Sequence, residues 1–288
     1  MNKEIGFLYS GNSLGKEEKM FLDIAKKKKI NLVMINVYKD TDENVLKEKI
    51  KNCGVIYNNT AEDFGIEIAK TIEALGKKVV DSPKAYYFDE DKWMFFLKCK
   101  ENNIPSPETI LLSENIQIAK KELKNFGKWS VVLKRIEGTM GQYVDRAENI
   151  NQAEKVIEKF WEKGDEKLPI IAQEFISSPS YRITVIGDKI VQTAIKKNKG
   201  GWKATGVYGK KFEKFKIDRE LKKIVNRVIK ISKIKICGID LLKKENKWLV
   251  LEINSEPGLD FFEDEREKLL EKLLKSGIVN FLYPFYFP

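Results

Sequence analysis

The 288-residue chain contains no histidine. That absence removes Ser-His-Asp triads, Cys-His pairs, imidazole general bases and histidine-ligated zinc. Cysteine is scarce. The three present, Cys53, Cys99 and Cys237, lie far apart and match no metal-ligand spacing, so they read as reduced, buried thiols. No apolar run approaches the roughly 20 residues that cross a bilayer. The start, MNKEIGFLYSGN, lacks the long apolar stretch of a secretory signal. A cytoplasmic, soluble protein with no membrane partner is expected. Any chemistry falls to carboxylates, lysines, arginines, backbone amides and a hard metal ion.

Charge is what the chain has in plenty. Lysine and arginine number 53 against 43 acids, a formal net charge of +10. Acids are interspersed with the lysines throughout. The one dense run, Lys26 to Lys29, closes an expected helix, where cations suit the macrodipole. The excess reads as solvated helix ends and a general lysine bias. Nucleic acid is therefore not the expected partner, although a basic nucleic-acid-binding protein is the alternative that would explain the charge.

The first 80 or so residues alternate short apolar runs with amphipathic helices. Strands are expected over 4–10, 31–37, 54–59 and 77–82, and helices over 15–28, 43–51 and 62–75. This is the pattern of a parallel sheet with helices on both faces. Residues 11–16, GNSLGK, fall one residue short of a phosphate-binding P-loop and read as an ordinary β-to-α turn. After a helix at about 89–102 and the connector NIPSPE, the pattern becomes α+β. Strands are expected at 108–112, 130–136, 143–147, 170–176, 181–186, 189–195, 237–242 and 248–254, with helices at 115–126, 151–163 and 218–232. Residues 196–211, basic and glycine-rich, read as a mobile loop.

The last strand, WLVLEIN, carries Glu252 and Asn254. Alternation puts both on one face with Trp248 and Val250. Its partner, CGIDLL, carries Asp240, and a turn over 243–247 sets Asp240 opposite Glu252 or one step away. Two acids on an otherwise apolar hairpin repel and lose solvation, at about 3–5 kcal/mol per unpaired buried charge. A divalent cation would remove the conflict, and an all-oxygen set of Asp, Glu and Asn suits Mg²⁺. A wet hairpin face, or acids paired to lysines, would remove it equally well. Two further stretches bear on function. In KRIEGTMGQYV, Gly138 and Gly141 flank Thr139 between two strands, with Lys134 at a strand end, an arrangement that can cradle an anion. In IAQEFI, Gln173 and Glu174 sit in an apolar strand that reads as a crossing between lobes.

Together these residues resemble the ATP-grasp superfamily, and within it the RimK-like alpha-L-glutamate ligases. KRIEGTMG is similar to the family's K-x-x-E-G-T-x-G loop, Gln173-Glu174-Phe175-Ile176 to its hinge, and Gly238-Ile239-Asp240 with EINSEPGL to its metal-binding end. The resemblance implies an ATP-grasp fold of α/β and α+β lobes. These would be an N-terminal Rossmann-like parallel-sheet domain (1–87), a small central α+β lid with the glycine loop (88–173) and a C-terminal antiparallel-sheet unit with the metal site (174–288). It also implies an ATP-dependent carboxylate–amine ligase working through an acyl phosphate, adding an amino acid such as glutamate to a small-molecule or protein carboxylate. Lys92 and Lys134 would contact ATP phosphates. Gly138 and Thr139 would fold over them, and Gln173, Glu174 and Phe175 would form the hinge that holds the adenine. Arg182 and Lys203 would serve catalysis, and Thr205 would lie beside the triphosphate. Asp240, Glu252 and Asn254 would hold one or two Mg²⁺, with Mn²⁺ as a substitute.

The chain departs from the family pattern at Tyr143, Ser180, Tyr208 and Glu256. A kinase on the same scaffold and a non-catalytic nucleotide-binding module are the competing readings. The aromatic tail FLYPFYFP, 281–288, would pack on its own core or form a homo-oligomer interface.

Overall fold

The computed structural model describes residues 4–279 apart from 61, 87–90, 139–140, 163–166, 199–201 and 203–208. Three sheets organise these residues. The first is parallel, in the order β2-β1-β3-β4, from β1 (Glu4–Tyr9), β2 (Leu32–Asn36), β3 (Cys53–Asn59) and β4 (Val79–Val80). Its crossovers are α1 (Lys16–Lys27), α2 (Glu43–Ile50) and α3 (Asp63–Ala74). The strands are apolar on both faces because both are covered. Ile5 and Phe7 pack with Phe21 and Ile24 of α1 on one side. Leu8 and Ile56 pack with Leu46 of α2 and Ala69 of α3 on the other. GNSLGK forms the β1–α1 turn, with Gly11 at a φ of +108°. Lys16 pairs with Glu263 at the surface, so the stretch is the plain turn expected.

The second sheet is antiparallel, in the order β5-β8-β6-β7. Its strands are β5 (Thr109–Leu112), β6 (Val131–Arg135), β7 (Val144–Ala147) and β8 (Ile170–Glu174). Two helices back it, α5 (Ile116–Phe126) and α6 (Ile150–Trp161). Asn115 and Asn149 cap them by accepting from amides of the first turn.

The third sheet is antiparallel and five-stranded, in the order β11-β10-β9-β12-β13. It comprises β9 (Ser180–Ile186), β10 (Lys189–Asn198), β11 (Gly209–Glu213), β12 (Ile236–Lys244) and β13 (Lys247–Asn254). One face is buried by α7 (Arg219–Ser232) and by α4 (Lys92–Glu101). Leu221 and Val228 of α7 and Phe95 and Cys99 of α4 pack there on Ile183, Ile239 and Leu241. Helix α4, within the stretch 88–173, thus shares its core with the third sheet rather than the second. The later helix α8 (Glu263–Lys272) returns to the first sheet, where Leu269 and Leu270 meet Phe7 and Phe21.

One expectation fails here. Residues 196–198 are not loop but the end of β10, and Gly209–Glu213 adds an edge strand beside it. Glycine and lysine mask the alternation that would reveal a strand. The tail 281–288 lies outside the described residues. All three cysteines are buried thiols outside any disulfide, as expected. Burial pushes the Cys53 thiol up to about 11 and Cys99 up to about 12, so both stay protonated near neutral pH. Among the described residues no helix is long and apolar enough to cross a membrane.

The first and third sheets are joined through Asp81. Its carboxylate accepts the Lys235 amide at 2.8 Å and the Ile236 amide at 2.7 Å, at the start of β12. Burial raises its carboxyl to about 6, against the lowering effect of those two amides. A carboxyl whose folded value exceeds its unfolded one contributes fully only below about pH 4, and that contribution is lost as pH rises through 6. The urea-unfolding free energy of the wild type minus that of Asp81→Asn should therefore fall by up to about 3 kcal/mol between pH 4 and pH 7. A pH-independent difference would show that Asp81 is not held protonated by burial.

Candidate active site

The β12–β13 hairpin turns through Glu245 and Asn246, both at positive φ, and pairs Asp240 directly with Glu252. Immediately after that pair the register shifts, and Leu241 faces Val250. This bulge places the extra residue Leu251 in β13 and reverses the alternation there. Trp248 and Val250 consequently join Ile253 in the core of the third sheet, not Glu252 and Asn254 on the cleft face. Simple alternation put them together and is corrected on this point. Glu252 and Asn254 do share the opposite side, as expected.

The sequence left open how Asp240 and Glu252 tolerate each other, and for Asp240 the answer is protein cations. Arg182 on β9 forks onto it, Nε to Oδ1 at 2.7 Å and Nη2 to Oδ2 at 2.8 Å. Lys196 on β10 donates to Oδ1 at 2.8 Å. Burial works to raise the Asp240 carboxyl, but Arg182 and Lys196 outweigh it and hold the group well below the usual carboxylate range. The electrostatic case for a metal therefore does not stand for Asp240. Glycine makes the arrangement possible. A Cβ on Gly238 would lie 1.9 Å from an Arg182 guanidinium nitrogen, so the guanidinium occupies the space that a side chain at 238 would take. Lys196 escaped the sequence reading because it was assigned to a loop. The signal was its two-residue spacing from Ala194 and Gln192 along one strand face.

On the second sheet, Lys134 is buried at the end of β6 and donates to Gln173 Oε1 at 2.8 Å. Gln173 in turn donates from Nε2 to Thr109 Oγ1 at 3.0 Å, which fixes the amide orientation. Gln173 therefore positions Lys134 rather than reaching outward. Burial lowers Lys134 to about 8, partly countered by Glu252. Lys92, in the first turn of α4, donates to the Gly138 carbonyl at 2.7 Å. Gly138 and Gly141 take φ of +127° and +71°. Tyr143, where the family pattern has its last loop glycine, also adopts a positive φ of +49°. Its ring lies under the Arg135 guanidinium at 3.8 Å and edge-on to Phe160, contacts that hold a conformation glycine adopts more readily.

At the hinge, the Glu174 side chain is engaged by Lys244 at 2.6 Å and the Glu108 amide at 3.1 Å. The backbone N–H groups of Glu174 and Phe175 donate to the Glu108 and Ser130 carbonyls. Among the described residues, the following amide, Ile176, donates to no backbone carbonyl, and Ile176 lines the cleft. The Phe175 ring sits under Arg146 at 4.0 Å and edge-on to Trp202. Thr139, Lys203 and Thr205 lie outside the described residues.

One cleft of about 1190 Å³ joins these parts. It brings the cations Lys92, Lys134, Arg182 and Lys196 together with Asp240, Glu252 and Asn254. Its wall also includes Ile66 and Glu67 of α3 from the first sheet.

The family's model, described as the RimK-like ATP-grasp domain, matches residues 89–276. The chain belongs to the RimK-like ATP-grasp family. A probable alpha-L-glutamate ligase of Psychromonas ingrahamii is 31% identical over 230 residues, covering 75% of this chain and 74% of that one. The crystal structure of a RimK-domain ATP-grasp protein from Sphaerobacter thermophilus superposes with a TM-score of 0.75 at 15% identity, over 96% of this chain and 99% of that one. D-alanine–D-alanine ligase from Bacillus anthracis, solved in complex with ATP, gives 0.72 at 17% identity over 98% of both. The α/β architecture of one parallel and two antiparallel sheets is thus the ATP-grasp fold, as the motifs implied.

ATP-grasp ligases use ATP and Mg²⁺, so the donor set of this RimK-like chain can be tested against a hard cation. Among the described residues Glu252 makes no hydrogen bond and no ion pair, and it is half-buried on the cleft. Asn254 engages its amide nitrogen with the Gly238 carbonyl at 3.5 Å, which leaves its oxygen. Asp240 gives three of about four lone-pair directions to Arg182 and Lys196, leaving one. These oxygen donors fit Mg²⁺, with Glu252 the readiest.

Two outcomes follow for this RimK-like site. Gly238→Ala should push Arg182 off Asp240, destabilise the protein by about 1–3 kcal/mol and lower turnover at least about tenfold. Unchanged turnover would show that the guanidinium need not lie there. A phosphate contacting the Lys134 ammonium would raise its pKa, so affinity would fall as pH rises through about 8. The ATP dissociation constant should increase about tenfold from pH 7 to pH 9. Lys134→Met should bind more weakly but lose that dependence, as isothermal titration calorimetry can show.

Proposed function

We propose that this chain joins an amino acid such as glutamate to the carboxylate of a small molecule or protein, using ATP and forming an acyl phosphate on the way. The observation that carries the proposal is the convergence of Lys92, Lys134, Arg182, Asp240, Glu252 and Asn254 on one cleft between the second and third sheets. The name of the relatives, probable alpha-L-glutamate ligase, supports glutamate as the amine. The need for ATP fits a cytoplasmic enzyme.

In this reading the base enters beside Phe175, and the Ile176 amide donates to it. The carbonyl edge of the hinge supplies acceptors, since the Glu174 and Phe175 donors are already engaged. Lys134, aimed by Gln173, and Lys92, at the start of α4, meet the phosphates. Glu252, Asn254 and Asp240 would hold one or two Mg²⁺, which would neutralise phosphate charge as it shifts. An oxygen of the acceptor carboxylate attacks the γ-phosphorus, the bond to the β-phosphate oxygen breaks, and ADP leaves. The amine then attacks the acyl carbon, loses a proton, and inorganic phosphate departs. Gly138, held by Lys92, and Gly141 line the cleft, where the glycine loop would exclude water from the acyl phosphate. No step needs an imidazole or a covalent enzyme intermediate, which agrees with a chain lacking histidine.

The test is to supply ATP and Mg²⁺ with paired carboxylates and amino acids. ADP and phosphate should appear only when both partners are present, with a product heavier by one amino-acid residue. Equal ADP release with a carboxylate alone would make it a kinase. Glu252→Gln should lower turnover about 100- to 1,000-fold while its thermal midpoint stays near that of the wild type. Full activity in that variant would remove Glu252 from the site.

A further inference from the structure

Lys196 has no role in the reading above, yet it is among the most deeply placed cations in the cleft, only 3% exposed. Its Nζ contacts Asp240 Oδ1 at 2.8 Å. Its cross-strand neighbour on β9 is Ser180, which offers no charge. Both Asp240 and Glu252 attract it, while burial and Arg182 oppose its charge. The ammonium is thus drawn to the two acids that a divalent cation would share. Arg182 alone already forks both oxygens of Asp240, so Lys196 is surplus to neutralising that carboxylate.

The pairing of Lys196 with Asp240 bears on when a metal can enter. A divalent cation arriving alone would have to compete with that ammonium for Asp240 Oδ1. Nucleotide phosphates would give the Lys196 ammonium a stronger partner than a carboxylate already shared with Arg182.

We propose that Lys196 is a positioning residue that occupies Asp240 until nucleotide phosphate draws its ammonium away, so that the metal enters with the nucleotide and not before it. This rests on the nucleotide and metal reading of the cleft given above. Lys196 would then mark the path between the metal-binding acid and the transferring phosphoryl group. A lysine that stayed on Asp240 would behave differently, because its removal would favour the metal equally with and without ATP.

The experiment is a Mn²⁺ titration of the nucleotide-free full chain, followed by electron paramagnetic resonance. The wild type should bind Mn²⁺ weakly, and Lys196→Met should bind it at least about tenfold more tightly. Lys196→Arg should match the wild type, and adding Asp240→Asn to Lys196→Met should abolish the gain. With ATP present, the advantage of Lys196→Met should disappear. Near-UV circular dichroism checks that each variant is folded, and Lys196→Gln replaces the methionine variant if that one does not fold. Unchanged or weaker Mn²⁺ binding in a folded Lys196→Met or Lys196→Gln variant overturns the proposal, as does tight Mn²⁺ binding by the nucleotide-free wild type. The titration needs no acceptor and no turnover. A chain that shows the gain but never couples ADP release to amide formation retains this proposal and loses the ligase reading. A chain that ligates without the gain does the reverse.

Discussion

The fork of Arg182 on Asp240, with Lys196 beside it, is the constraint around which the cleft is arranged. Three charged groups are buried together on one face of the third sheet. Each would be costly to bury alone, and removing Asp240 leaves two buried cations without compensation. Their register is set by the ladder, since β12 and β9 pair Asp240 with Arg182 directly. The glycine two residues earlier is the steric condition, because only a missing side chain lets the guanidinium lie flat across the strand. A sheet face that would otherwise be apolar becomes a charged floor that can receive an anion and a cation together.

The rest of the cleft is held by elements that do not share one core. Lys134 and Gln173 come from the second sheet, while Lys92 comes from a helix packed on the third. The Lys92 side chain then reaches the glycine-loop carbonyl of the second sheet's β6–β7 connection. Any relative movement of the two sheets would alter that contact, so the loop and the charged floor are mechanically linked. Asp81 performs a comparable task at the other end, tying the first parallel sheet to the start of β12 through two backbone amides. Its raised pKa reflects a carboxylate placed for geometry in surroundings that disfavour its charge.

Membership of the RimK-like ATP-grasp family establishes the scaffold, and the departures of this chain show how the scaffold absorbs change. Tyr143 keeps a left-handed backbone by packing its ring between Arg135 and Phe160. Ser180 puts no charge at the strand position facing Lys196, whose ammonium lies on Asp240. Neither change disturbs the strand ladder. Both positions line the cleft, where side chains can change without refolding the sheets.

Much was legible from the chain alone. Hydrophobic periodicity located nearly every element of the three sheets, because burial on one or both faces writes period 2 or 3.6 directly into the residues. The absence of histidine and the motif order narrowed the chemistry, and the turn length placed Asp240 opposite Glu252 or one step away, the first of which the ladder shows. The edge strand β11 and the end of β10 were hidden by glycine and lysine, and helix α8 went unread. Sequence could not decide what neutralises Asp240, since that depends on strands 58 and 44 residues distant meeting in one register. Nor could it foresee the bulge at Leu251, which reassigns Trp248 and Val250 to the core. Local pattern dictates which faces are buried; only the packed sheet determines which charges confront one another, because that confrontation is a property of strand order and register rather than of any one segment.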